Sequence, residues 1–133
     1  MSRYCLDTSA YGLFQRGDAR ALELIDEAEW VGVPAIVLGE LHAGFQLGAK
    51  REENERTLSE FLANPAVDVL SVDDDVSRHY ADIVVDLRRA GTPIPTNDIW
   101  IAATAARAGA AVLSDDAHFT AIDRVGSITI TGR

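Results

Sequence analysis

The sequence is poor in cysteine, since Cys5 is the only one among 133 residues. A single cysteine cannot form a disulfide within the chain. In an apolar strand it is most often a small buried side chain, which suits a reducing cytoplasm. The three histidines, His42, His79 and His118, have no Cys or His partner at the spacing of zinc ligands. The sequence therefore indicates neither a disulfide framework nor a zinc site.

Long apolar runs are also missing. The longest, residues 30–41 and 99–106, are too short or too interrupted to cross a bilayer. Residues 1–10 hold an acid at position 7 and no long apolar region behind a basic one, so a secretory signal is not expected. We therefore expect a cytoplasmic protein that does not span a membrane.

Basic residues are scarce, with 12 Lys and Arg against 21 Asp and Glu and a net charge of −9. Affinity for phosphates comes mostly from Lys and Arg, so the charge excludes a protein that holds nucleic acid by electrostatics alone. It is compatible with a metal-dependent enzyme that acts on phosphates, because a bound cation can invert the potential of its site. It also suits a basic partner.

The composition, 47% apolar and 25% charged, is that of a globular protein, and we expect one domain over residues 1–133. Short apolar segments predict strands at residues 3–6, 30–33, 67–72, 111–114 and 127–130. Helical periodicity predicts helices that start at Thr8 and after Asp18, and others at residues 35–48, 50–63, 73–90 and 99–108. This alternation predicts an α/β domain with a parallel sheet.

Four acids stand where a strand meets a helix or on the apolar side of a helix: Asp7, Glu40, Asp98 and Asp116. A carboxylate in a protein interior is costly unless it is paired or coordinated. No Lys or Arg lies in the segments that carry them, residues 6–10, 37–41, 96–103 and 113–119. The unpaired acids therefore predict a divalent cation. Because ligands of open α/β sheets bind at the carboxyl ends of strands, we expect the ion at that edge.

Each acid also has a simpler structural interpretation. Glu40 falls within an apolar arc of its helix and should point inward, unless a bend leaves it at the edge of the core. Asp98 lies in the first turn of a helix, where an acid gains from the macrodipole. Asp7 could cap the helix that starts at Thr8, and Asp116 could fix a turn. What favours a functional role is the joint pattern.

Asp98 has a further argument in its favour. It projects on the same side as the apolar residue Ile101, and Thr96 or Asn97 could supply the helix cap instead. By contrast, the acidic run 73–75 is typical of a solvated helix start. Neither of the glycine-rich phosphate-binding motifs occurs.

The segments LDTSA, VLGEL, PTNDIWIAATA and LSDDAHF, in this order, resemble those of PIN-domain ribonucleases, specifically the VapC-type toxins of toxin–antitoxin pairs. The resemblance spans nearly the whole chain. It implies a five-stranded parallel sheet flanked by helices and endonucleolytic cleavage of RNA by a metal-activated water. It also implies a homodimer inhibited by a VapB-like antitoxin. Ser114 departs from the family, which more often has Thr there, and Asp115 fills a variable position before Asp116.

The same resemblance implies that Asp7, Glu40, Asp98 and Asp116 hold Mg²⁺ or Mn²⁺. We expect Asp7 and Asp98 to be direct ligands, with Asp116 and Glu40 binding a second ion or orienting water. Four further side chains could supply hydrogen bonds to these acids: Thr8, Ser9, Asn97 and Ser114. Candidate RNA contacts, which could equally be ordinary solvated surface, are Lys50, Arg51, Arg56, Arg88 and Arg89.

Two alternatives remain open. One is a nuclease-inactive PIN-like module that acts only by binding a protein partner. The other is a phosphotransfer domain with Asp7 as nucleophile, because an acid at the end of the first strand also suits aspartyl-phosphate chemistry. That second interpretation lacks an acid two residues on, where Ser9 stands, and it lacks a lysine partner.

Overall fold

The structure, a computed structural model, describes residues 2–130. Its strands are β1 Arg3–Leu6, β2 Trp30–Pro34, β3 Val67–Leu70, β4 Ala111–Ser114 and β5 Ser127–Thr129. Its α-helices are α1 Thr8–Gln15, α2 Ala19–Asp26, α3 Ala35–Leu47, α4 Arg51–Leu62, α5 Asp74–Ala90 and α6 Thr96–Ala108. A 3₁₀ helix spans Ala117–Ala121. None of the helices within the described range has the length and apolar character needed to cross a membrane.

The five strands form one parallel sheet in the order β3-β2-β1-β4-β5. Cys5 in the central strand β1 pairs with Gly32 of β2 on one side and with Val112 of β4 on the other. The predicted α/β class and the five-stranded parallel sheet are therefore confirmed. Because all strands run the same way, the loops that leave β1 and β4 emerge side by side at the carboxyl edge.

The core lies on both faces of the two central strands. Cys5, Leu6, Val112 and Leu113 are fully buried, as expected for strands covered by helices on both sides. Helix α6 packs against both strands, and its run Ile101–Ala105 is buried throughout. The predicted central, apolar helix is thus confirmed, although it begins at Thr96 rather than at Ile99.

Two helices, α2 and α5, begin directly after an acid, as predicted from the sequence. Asp18 caps α2 by accepting a hydrogen bond from the Ala21 N–H at 3.0 Å, and Asp73 caps α5 in the same way from Val76. The rest of the acidic run 73–75 is solvated and pairs with Arg78 and Arg107. The structure thus gives this run the structural role expected from its position.

Gly32 marks a close approach in the sheet. A Cβ at this position would lie 2.5 Å from the Trp30 ring and 2.6 Å from Leu70 Cδ1. The Trp30 ring has little freedom to move, because its Nε1–H donates to Asp68 at 2.8 Å and the Arg3 guanidinium lies 4.3 Å from the ring centroid.

We expect Gly32→Ala to lower the free energy of unfolding by about 1–3 kcal/mol, the usual cost of overpacking. Gly44→Ala is the matched control, since nothing lies within 4 Å of its Cβ position in α3. It should raise stability by about 0.5–1 kcal/mol through helix propensity. Urea denaturation of both variants measures the difference, and equal effects would contradict the packing argument.

Candidate active site

The four predicted acids meet at the carboxyl edge of the sheet. Asp7 directly follows β1 and Asp116 lies two residues past β4, while Glu40 projects from α3 and Asp98 from the first turn of α6. All four line one open cavity of about 200 Å³, together with Thr8, Ser9 and Ile101. The adjacency of β1 and β4 in the sheet is what brings together residues so far apart in the sequence.

Asp7 is the buried member of this set, with 5% of its surface exposed. One carboxylate oxygen accepts hydrogen bonds from the Ala10 N–H at 2.8 Å and from Ser9 Oγ at 2.7 Å. The other accepts from Ser114 Oγ. Asp7 therefore caps α1, as its simpler interpretation proposed, and also lines the cavity.

Burial is the main influence on the Asp7 carboxyl, and it raises the pKa from its ordinary value of 3.8. The hydrogen bonds from Ser114, Ala10 and Ser9 act in the opposite direction, and the charge of Asp98 raises the pKa further. The donors around Asp7 thus compensate only part of the cost of ionising it in this position.

Two serines tie the β4 loop to Asp7. Ser9 Oγ accepts from the Asp115 N–H and Ser114 Oγ accepts from the Asp116 N–H, each at 2.8 Å. The hydroxyls that hold the Asp7 carboxylate therefore also fix the backbone that carries Asp116. Of the two adjacent acids, Asp116 lines the cavity, whereas Asp115 is not among the lining residues.

The prediction that Glu40 points inward is wrong. Its side chain is exposed at the mouth of the cavity. The buried residues of α3 are Val37, Leu41 and Phe45, which recur every four positions. Glu40 directly precedes Leu41 and lies to the side of this buried row. Two neighbours hold its carboxylate. Thr8 Oγ1 donates at 2.7 Å and the Asn97 side-chain amide at 3.5 Å.

Asp98 is inside its helix rather than at a cap. The N-cap of α6 is Pro95 and no side chain caps it, so the expected cap from Thr96 or Asn97 is wrong. Asp98 has 21% of its side chain exposed, and its Oδ2 lies 3.0 Å from His118 Nδ1. Its polar contact is therefore with another residue of the site.

His118 also belongs to the site, a role that was not predicted from the sequence. Its Nδ1 lies 3.0 Å from Asp98 and 3.3 Å from Asp116 Oδ1. The hydrogen bond with Asp98, followed by the charges of Asp116 and Asp98, raises the pKa of the imidazole, while desolvation opposes them. The available signal was its position two residues after Asp116 in a helical turn, where Asp116 accepts the His118 N–H.

The donor set matches a hard divalent cation, because four carboxylates and the hydroxyls of Thr8 and Ser9 line the cavity without any Lys or Arg. The side chains are not, however, drawn around a single point. Within residues 2–130 no three His, Cys, Asp or Glu side chains are close enough together to hold one ion. The carboxylates that line the cavity accept hydrogen bonds from Thr8, Ser114 and His118 instead. The lining therefore fits a divalent cation in its chemistry, although the positions of the side chains do not converge on one ion.

The candidate RNA contacts lie elsewhere. Lys50 is the N-cap of α4, and Arg51 and Arg56 lie in the first half of that helix. Arg88 and Arg89 lie at the end of α5, and none of the five lines this cavity. Arg88 lines a separate cavity of about 400 Å³ between α5 and the segment that leads into α6.

Comparison with known proteins agrees with this geometry. Residues 4–125 match the PIN domain family. Ribonuclease VapC4 from Mycobacterium tuberculosis is 39% identical over 102 residues, which cover 77% of this chain and 78% of the relative. Ribonuclease VapC5 from the same organism is 30% identical over 125 residues, covering 94% and 91%. The crystal structure of VapBC-5, a member of the VapBC family of toxin-antitoxin systems from Mycobacterium tuberculosis, is 31% identical with a TM-score of 0.76, covering 96% and 98%.

The chain therefore belongs to the PIN-domain family, and its identity with VapC4 and VapC5 assigns it to the VapC-type members of that family. The resemblance that the four sequence segments suggested is confirmed. The match covers β1 from Tyr4 onward, all of β4 and all four acids of the cavity.

Asp7 gives the metal-free protein a characteristic pH dependence. The folded state binds this proton more tightly than the unfolded chain does, so the contribution of Asp7 to stability falls as pH rises from 3.8 through the raised pKa. We expect Asp7→Asn to unfold at pH 7 in EDTA with a free energy equal to or higher than that of the parent. Its advantage should shrink as pH falls towards 3.8.

Asp73→Asn is the control, because Asp73 is also an N-cap acid but is solvent-exposed. It should not stabilise the protein at pH 7. A loss of stability in Asp7→Asn at pH 7 that disappears in acid would mean that the ionised carboxylate stabilises the fold.

Proposed function

We propose that this protein is a divalent-metal-dependent endoribonuclease that acts as the toxin of a toxin–antitoxin pair. The observation that carries the proposal is the placement of Asp7, Glu40, Asp98 and Asp116 around one cavity at the carboxyl edge of the sheet. The names of the relatives agree, since VapC4 and VapC5 are both ribonucleases.

Asp7 and Asp98 are the proposed direct ligands of Mg²⁺ or Mn²⁺, and Glu40 and Asp116 the proposed ligands of a second ion or of water. When bound, such an ion supplies positive charge for the phosphoryl oxygens and lowers the pKa of a water molecule. The chain supplies the framework. Ser9 and Ser114 fix the orientation of the Asp7 carboxylate, and Thr8 and Asn97 do the same for Glu40.

The proposed partner is a VapB-like antitoxin. The solved relative from Mycobacterium tuberculosis is a VapBC toxin-antitoxin family member. We also propose that the protein forms a homodimer and acts in the cytoplasm. A cavity with four carboxylates and no Lys or Arg in its lining also offers a basic antitoxin segment a complementary surface.

The central test compares two neighbouring acids. We expect Asp116→Asn to lower the rate of RNA cleavage in Mg²⁺ or Mn²⁺ by at least about a hundredfold, the scale on which loss of an electrostatic catalytic group acts. Asp115→Asn, which changes the same charge one residue away from the cavity lining, should cleave at nearly the parental rate. The measurement is cleavage of a panel of structured RNAs, with EDTA as the metal-free control.

Asp98→Asn extends the test to the helix. It should abolish cleavage while leaving the stability of the metal-free protein unchanged or higher, because it removes a charge that raises the pKa of Asp7. A large loss of stability would show that Asp98 is structural. A parent protein that cleaves no RNA with either metal, yet binds an antitoxin-like partner, would favour the inactive binding module.

A further inference from the structure

Four carboxylates and no Lys or Arg line the cavity, and a phosphodiester chain is negative too, so the position of the nearest uncompensated cation matters. The elements that line the cavity are α1, α3, α6 and the loop and 3₁₀ helix after β4. Within the described part of these elements and their caps, the Lys and Arg residues are Arg16, the C-cap of α1, and Arg107, near the end of α6. Arg107 is paired with Asp75 at 3.2 Å.

Arg16 forms no ion pair with any described residue. Within residues 2–130, the ion pairs formed by Lys and Arg engage Arg20, Arg78, Arg107 and Arg124, and Arg16 is outside all of them. Its side chain is also exposed. A guanidinium with five donors is therefore available for an external acceptor.

The side chain of Arg16 lies back along α1 towards the cavity. Its Nη1 is 3.1 Å, and its Cζ 3.9 Å, from the position that a Cβ on Gly12 would occupy. This is the direction in which helical side chains lean, towards the turn that precedes them. The guanidinium thus rests over Gly12, one turn of about 5.4 Å from Thr8.

Thr8, Gly12 and Arg16 are spaced by four residues and share one side of α1. At the near end of this stripe, Thr8 lines the cavity and donates to Glu40. At the far end, Arg16 carries the charge. Because Gly12 has no side chain, the guanidinium can approach the helix surface between them.

We propose that Arg16 is a substrate-binding residue, whose guanidinium contacts an RNA phosphate near the one that is cleaved. The inference rests on the proposed ribonuclease function and adds a residue to it. A guanidinium matches a phosphate because it can donate two parallel hydrogen bonds to it. Gly12 acts with Arg16 as the positioning residue that keeps the guanidinium beside the cavity.

The test measures kcat and KM for cleavage of a fluorescently labelled RNA from the panel in Mn²⁺, over a range of salt concentrations. Arg16→Ala should raise KM roughly tenfold, the loss expected for one charge-assisted contact, with kcat little changed. The slope of log(kcat/KM) against log[salt] should become shallower by about 0.7, the value for one phosphate contact on a single strand.

Two further variants make the result specific. Arg20→Ala, which removes an exposed charge on α2 that is paired with Glu23 and does not line the cavity, should leave KM and the salt slope as in the parent. Gly12→Leu fills the space over which the guanidinium lies and should raise KM in the parent but not in an Arg16→Ala background. Circular dichroism and urea denaturation verify that α1 is intact in each.

The possible results distinguish a failure of the role of Arg16 from a failure of the proposed ribonuclease function. A parent protein that cleaves RNA while Arg16→Ala keeps the parental KM and salt slope overturns the role of Arg16 alone. A fall in kcat at constant KM also overturns it, because that pattern reports the reacting atoms rather than substrate binding. A parent protein that cleaves no RNA overturns the proposed function, and the role of Arg16 with it.

Discussion

The arrangement of the site depends on one buried carboxylate. Asp7 follows the central strand β1, and its position is fixed by the Ala10 N–H and by the hydroxyls of Ser9 and Ser114. Burying this charge opposes folding, as the raised pKa shows. The same hydroxyls hold the loop that carries Asp116, so the surroundings of the buried Asp7 carboxylate also determine where its neighbour lies. Stability and site geometry are therefore linked through the same few hydrogen bonds.

Much of the fold could be predicted from the sequence because its segments are short and strongly patterned. The strands at residues 3–6 and 111–114 agree with the structure, since an apolar run between turn residues has few other solutions. Helix α6 begins three residues before the predicted start. Pro95 provides the cap position without a side-chain hydrogen bond, so the sequence offered no capping residue to read at the true start.

The site was less predictable, for two physical reasons. A helical wheel reports which residues are apolar, not which are covered: α3 leaves Leu47 91% exposed and Glu40 on an uncovered side. Contacts across the fold also have no local signal. His118 meets Asp98 across 20 positions of sequence, and Thr8 meets Glu40 across 32. The position of Asp7 was easier, because the end of a parallel strand identifies the ligand-binding edge by itself.

The hydrogen bonds of the site also bear on how firmly a cation could be held. Asp98 and Asp116 already share the Nδ1 of His118, and Glu40 already accepts from Thr8. A cation that coordinates the same oxygen atoms would compete with those donors, and any hydrogen bond given up would reduce its net affinity. Asp7 differs, because its donors come from the backbone and from serines that also anchor the β4 loop. That carboxylate cannot rotate without disturbing the loop. The Asp7 carboxylate is therefore the rigid ligand group of the site, and the carboxylates of the other three acids are freer to change orientation.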